Sequence, residues 1–235
     1  MIAARSAFFV AIFYLWSTAM ALAMVPLLIA PRGWMMAAMR FWGCGVLALM
    51  RPICGIRVEF RGLENLPEGA TLVAAKHQCM FDTMGPFVKL SDACYVMKKE
   101  LTRVPFYGWF CAKVGMIVVD REGQSKALRK LLTDGKAVLA AGRQLVIYPE
   151  GTRVAPGQTG NYHPGIAALY RAEGLACVPL ATNSGVHWPA HGFLRRPGTI
   201  VYEFLHPIAP GLPRAEFMAL LEERLEKASR ALLTE

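Results

Sequence analysis

The sequence predicts an α/β protein: a mixed, largely parallel sheet flanked by helices, carried on an N-terminal membrane-associated helical segment. Three observations predict it. Beyond Pro52, seven short runs rich in Val, Ile and aromatic residues alternate with helical stretches, the alternation by which parallel strands are connected. No charged residue occurs in 6–31, a run of about 26 residues where about 20 suffice to cross a bilayer. The chain is 54% hydrophobic yet 18% charged, too apolar for an ordinary soluble domain and too polar for a protein of many spans. Its 235 residues suit one sizeable domain with a small additional element.

In chain order, residues 1–52 read as membrane-anchoring helices and 53–235 as the α/β domain. Pro26 kinks or ends the first apolar helix, and a second apolar run, 33–50, is interrupted by Arg40. Only Arg5 precedes the first run, whereas Arg32, Arg40, Arg51, Arg57 and Arg61 follow it. A single span would therefore leave the following domain in the cytoplasm, against the inner membrane. A two-helix hairpin dipped into one leaflet fits the same pattern, and both arrangements stay open. Strands are expected at 57–60, 71–76, 94–99, 115–120, 144–149, 176–182 and 198–204. Helices are expected near 83–90, 100–113, 124–141, 164–173 and 213–233. In the last, Phe217, Leu220, Leu221, Leu225, Ala228 and Leu232 form an apolar stripe among charges, the mark of a core-facing helix. The Gly/Pro-rich stretch 154–165 reads as a loop.

Lysine plus arginine number 26 against 17 acidic residues, a formal charge of +9. That balance favours an anionic partner, a membrane surface or a phosphorylated substrate. Nucleic acid is disfavoured, because no Lys/Arg block with interleaved aromatics occurs. The six cysteines (Cys44, Cys54, Cys79, Cys94, Cys111 and Cys177) contain no C-x-x-C pair, so they read as buried thiols in a reducing compartment. No metal site is expected: "HWPAH" (187–191) lacks the H-E-x-x-H glutamate and is broken by Pro189. P-loop, dinucleotide and nucleophile-elbow signatures are also missing.

The stretch "AAKHQCMFD" (74–82) sets His77 five residues before Asp82. Residues five apart do not share a helix face. A working pair therefore requires His77 in the loop leaving a strand and Asp82 in the first turn of the next helix, where a carboxylate is favoured. Asp82 would then accept the Nδ1–H of His77 and leave Nε2 as a general base. Taken alone, the spacing equally suits an unrelated His and Asp. Three further strand ends carry basic or Gly-containing sequences: "YVMKKE" with Lys98 and Lys99, "VVDREG" with Arg121, and "YPEGTR" with Glu150, Gly151, Thr152 and Arg153. Ligands of open α/β sheets sit at the carboxyl ends of strands, and arginines there can grip a phosphate bidentately. Each alone is equally a surface charge or an ion pair with a neighbour.

Together these blocks resemble the glycerolipid acyltransferase family, which makes phosphatidic acid by acylating 1-acylglycerol-3-phosphate. "KHQCMFD" is similar to the family's N-H-x-x-x-x-D, "GMIVVDR" to G-x-x-[FI]-[IV]-D-R, "YPEGTR" to F-P-E-G-T-R-S and "CVPLATNSG" to its V-P-V block, in the family's order over about 55–210. Lys76 for Asn, Tyr148 for Phe and Val154 for Ser are departures at flanking positions; Lys76 there would add charge near an anionic substrate. The resemblance implies the glycerolipid acyltransferase fold, with His77 as general base and Asp82 as its orienting partner. It implies Arg121 and Arg153, with Lys98, as ligands of the acceptor's phosphate, and Glu150, Gly151 and Thr152 as shapers of the acceptor pocket. The partners it implies are lysophosphatidic acid, an acyl thioester of CoA or of acyl carrier protein as co-substrate, and membrane lipids, with no cofactor. Transfer to another lysolipid such as lyso-ornithine lipid, or hydrolysis of the thioester, uses the same base and stays open. Cys79 reads as packing, because nothing beside it lowers a thiol pKa.

Overall fold

The computed structural model describes residues 1–120 and 123–234. Seven strands form one sheet: β1 (Ile56–Arg61), β2 (Thr71–Ala75), β3 (Ala93–Lys98), β4 (Ile117–Val119), β5 (Gln144–Ile147), β6 (Cys177–Thr182) and β7 (Gly198–Phe204). Their order is β1-β7-β6-β2-β5-β3-β4. Every neighbouring pair is parallel except β6 and β7. The carboxyl ends of β2 to β6 therefore share one edge, and β7 and β1 begin there. The central strands β2, β5 and β6 are buried along their whole length, as a sheet covered on both faces requires.

Two helices precede the sheet, α1 (Ile2–Met24) and α2 (Arg32–Cys54). They fold back on each other through a 3₁₀ turn, Val25–Leu28, that begins with Pro26 in its first turn. Trp16 Nε1 donates to the Trp42 carbonyl at 3.0 Å and Trp42 Nε1 donates to Ser17 Oγ at 3.1 Å. The arrangement is a hairpin. Both helices are long and apolar enough to cross a membrane, and Phe8, Tyr14, Leu15, Leu22, Trp34 and Phe41 are exposed on them, as is Ile29 in their connection. The hairpin also packs on the sheet: Phe9, Met35, Met36, Val46 and Met50 join Val73, Tyr95, Val146 and Ile200 in one core.

The opposite face is covered by α4 (Gln124–Ala140), α5 (Gly165–Glu173) and α7 (Arg214–Ala231). There Leu131, Leu139, Ile166, Leu169, Phe217, Leu221 and Leu225 pack on Leu72, Ala74, Leu145 and Ile147. The short helices α3 (Tyr107–Lys113) and α6 (Ser184–His187) complete the molecule.

All seven expected strands are present, but two expected helices differ. Near 83–90 there are only 3₁₀ turns, Met80–Thr83 and Pro86–Val88. Pro86 has no N–H to carry a longer helix, and Gly85 lies against the Tyr202 ring, where a Cβ would come within 2.5 Å. Within 100–113, Pro105 separates a 3₁₀ turn (Lys99–Arg103) from α3.

Candidate active site

His77 occupies the loop that leaves β2. Ala75 is the last paired residue, Lys76 N–H still donates to the Leu180 carbonyl at 2.9 Å, and Cys79 is extended before the turn Met80–Thr83. Asp82 is the third residue of that turn. One oxygen of its carboxylate accepts the Gln78 N–H at 2.6 Å, the Cys79 N–H at 2.8 Å and His77 Nδ1 at 3.1 Å. The other accepts the hydroxyls of Ser184 and of Tyr202, the latter at 3.0 Å. A carboxylate that is 1% exposed is thus surrounded by donors, which suits its acceptor-only ionised form.

The consequence falls on the imidazole. An imidazole that donates Nδ1–H to Asp82 carries its lone pair on Nε2 when neutral, and the side chain remains 16% exposed. The Tyr148 ring stacks on the imidazole at 4.2 Å between centroids, and its hydroxyl donates to the Asp82 carbonyl at 2.9 Å. Burial, and then the Asp82 charge, pushes the Tyr202 phenol far above its ordinary value. Burial does the same to Tyr148. Both phenols therefore act as donors across the working pH range.

Cys79 lies inside the same loop and its thiol points at Asp82 and Ser184 at 3.7 and 3.4 Å. Burial and the neighbouring Asp82 raise its pKa well above that of a free thiol. A thiol so placed is a packing group and not a nucleophile.

Of the remaining sequence-selected residues, Lys98, Glu150, Gly151, Thr152 and Arg153 lie at the same edge, because β2, β5 and β3 are parallel. Lys98 is exposed at the end of β3. Gly151 turns the chain after β5 with φ of 62°, a left-handed conformation that suits glycine. Thr152 and Arg153 follow it, both exposed, and Arg153 Nη1 donates to the Ala190 carbonyl at 3.0 Å. Lys99 pairs with Asp120 at 2.9 Å, the ion-pair alternative open to a strand-end lysine. Arg121 lies outside the described residues.

Glu150 is buried beneath the others. Its Oε2 accepts the His77 N–H at 3.1 Å and its Oε1 accepts Lys76 Nζ at 2.6 Å. Burial raises its pKa, and the Lys76 hydrogen bond opposes that shift. The expectation for Lys76 is overturned. Its side chain does not add charge near a substrate but turns inward, 2% exposed, between Glu150 and Glu226. An ammonium spent on two carboxylates and the Gln158 carbonyl has no donor left for a phosphate. Among the described residues no group of three or more His, Cys, Asp and Glu could hold a metal ion.

Sequence reasoning passed over Ser184, Tyr202 and Glu226. Ser184 lies inside "CVPLATNSG" and carried a signal. Tyr202 and Glu226 come from β7 and α7 and carried none, because only the folded sheet brings them to Asp82 and Lys76.

A histidine held by a buried carboxylate, at the carboxyl edge of a mostly parallel sheet beside an apolar hairpin, is an arrangement that suits acyl transfer. The chain belongs to the acyltransferase family: the family model described as Acyltransferase matches residues 57–183, more than half the chain. Among similar proteins is the 1-acyl-sn-glycerol-3-phosphate acyltransferase of Pseudomonas aeruginosa, 39% identical over 191 residues, which are 79% of this chain and 72% of the relative. The protein of that name in Helicobacter pylori is 37% identical over 45% of this chain and 44% of its own length. The Saccharomyces cerevisiae one is 29% identical over 68% and 54%. The crystal structure of the 1-acyl-sn-glycerophosphate acyltransferase of Thermotoga maritima matches the fold with a TM-score of 0.83. It covers 100% of this chain and 99% of that one at 18% identity.

Proposed function

We propose that the chain is a 1-acyl-sn-glycerol-3-phosphate O-acyltransferase that converts lysophosphatidic acid into phosphatidic acid. The observation that carries this reading is the His77–Asp82 pair, in which Asp82 engages Nδ1 of a partly exposed imidazole and leaves Nε2 for a substrate. Nε2 takes the proton from the free sn-2 hydroxyl as that oxygen attacks the thioester carbonyl. Asp82 stabilises the imidazolium that forms. When the tetrahedral intermediate collapses, the C–S bond breaks and the imidazolium returns its proton to the departing sulfur. No acyl-enzyme is needed.

Arg153, with Lys98 and Arg121, binds the acceptor's phosphate, while Gly151 and Thr152, supported by Glu150, shape its pocket. The donor is an acyl thioester of CoA or of acyl carrier protein, and no cofactor takes part. The apolar hairpin sits in the inner membrane with the α/β domain on the cytoplasmic side, so that a lipid substrate and a lipid product need not leave the bilayer. The basic surface draws anionic lipid toward it.

The test supplies purified protein with an acyl thioester, with and without lysophosphatidate, and follows thiol release and lipid product. Thiol release should require the acceptor and yield phosphatidic acid. His77→Ala and Asp82→Asn should each lower kcat by about 10²–10⁴, the usual weight of an oriented general base. Release without acceptor would indicate a hydrolase, a preference for lyso-ornithine lipid a different acceptor, and full activity in His77→Ala would remove the mechanism altogether.

A further inference from the structure

Lys76, at the end of β2, is enclosed with two carboxylates. Its Nζ donates to Glu150 Oε1 at 2.6 Å, to Glu226 Oε1 on α7 at 2.5 Å and to the Gln158 carbonyl at 3.0 Å. All three N–H bonds of the ammonium are spent. Glu226 Oε1 also accepts the Tyr162 hydroxyl at 3.0 Å. The Lys76, Glu150 and Glu226 side chains are between 1% and 7% exposed. Desolvating three charges is costly, and well-packed apolar residues usually serve stability as well or better. The stability of the fold therefore does not account for this cluster.

What the cluster does is fix a geometry. Glu150 holds the N–H of His77 through its second oxygen at 3.1 Å, while Val154 N–H holds the carbonyl of His77 at 2.8 Å. The base is thus clamped on both sides of its own residue by the loop after β5. That loop is fastened in turn by Lys76 at Glu150 and at Gln158. The fixed post behind it is Glu226, on a helix docked by Phe217, Leu221 and Leu225.

We infer that Lys76 and Glu226 are positioning residues of the acyl-transfer site, acting through Glu150 on His77 and on the loop carrying Thr152 and Arg153. The C-terminal helix then belongs to the catalytic apparatus although it presents no group to substrate. This inference rests on the proposed acyl transfer.

The test compares Glu226→Gln with Glu226→Leu in the full-length protein. Glutamine keeps an acceptor for Lys76 and Tyr162. Leucine removes the tie, yet leaves Lys76 and Glu150 as a balanced one-to-one pair. With acyl thioester and lysophosphatidate, Glu226→Gln should keep kcat within about threefold of the parent. Glu226→Leu should lose about 10- to 100-fold, the scale on which a displacement of about 1 Å is felt. Should Glu226→Leu not fold, the triple variant Lys76→Met/Glu150→Gln/Glu226→Leu removes every charge of the cluster together, keeps an amide oxygen for the His77 N–H and should show the same loss. Equal kcat in the leucine and glutamine variants, or a loss that follows the folded fraction across temperature, overturns the inference. A parent protein without acyl transfer would instead overturn the functional reading, and this one with it.

Discussion

At the scale of single residues, the site is governed by how a carboxylate is surrounded. Asp82 is held by two backbone N–H groups of its own loop and by side chains from β2's exit, α6 and β7. Local and distant donors do different jobs. The Gln78 and Cys79 N–H groups fold the loop so that residues five apart can meet. Ser184 and Tyr202 set the second oxygen and keep the first turned toward His77. Tyr202→Phe removes one of these donors without changing shape. That oxygen keeps the Ser184 hydroxyl, so the change removes one hydrogen bond to a charged group, about 1.5–3 kcal/mol. The variant should show that loss in denaturant unfolding and a several-fold lower kcat, with the acceptor KM nearly unchanged. Unaltered kcat would mean that Asp82 is oriented by its own loop alone.

Among elements, the decisive junction is the one between the helical hairpin and the sheet. Arg32, at the start of α2, donates to both oxygens of Asp92, just before β3, and Arg143 reaches the same carboxylate at 3.1 Å. The hydrogen bond from Arg32, aided by the Arg143 charge and against the effect of burial, holds the Asp92 carboxyl below its ordinary value of 3.8. A carboxylate with a depressed folded pKa contributes stability that is fully present above its unfolded value. That contribution is lost as pH falls through the lower, folded value. The urea midpoint of the parent should therefore fall faster than that of Asp92→Asn as pH drops below about 3.8. Parallel pH curves would show that this pair adds nothing to the hairpin's seating. At the other end Arg5 Nε on α1 donates to the Ile53 carbonyl on α2 at 2.5 Å, which ties the two helices together at the hairpin's open end.

At the scale of the whole molecule, a +9 chain joins an apolar hairpin to a sheet whose reacting edge lies beside the hairpin's open end. Two forces then favour a membrane surface, and salt separates them. Charge attraction is screened within about 3 Å at 1 M salt, against about 8 Å at physiological strength, whereas apolar insertion is not weakened. The full-length protein should therefore remain with anionic vesicles in a flotation assay at 1 M NaCl. Quantitative release would mean that charge alone holds it there.

How much of this was legible in the sequence differs by kind of interaction. Seven strands were readable because each is a short apolar run between turn residues, and the His77–Asp82 contact was readable because both residues lie in one compact block. The helix expected near 83–90 was misplaced because Gly85 must admit the Tyr202 ring, a contact from β7 that no local pattern announces. Lys76 was misjudged for the same reason: its neighbours Glu150 and Glu226 lie 74 and 150 residues away. The sequence by itself determined the alternation of elements, the apolar character of the N-terminal segment and the short spacing that lets His77 meet Asp82, because those depend on local periodicity and composition. That the two apolar runs fold as a hairpin was decided by the packing between them. The tertiary structure alone decided which donors complete Asp82 and that Lys76 faces inward, because hydrogen bonding and desolvation are settled by which distant segments the sheet brings together.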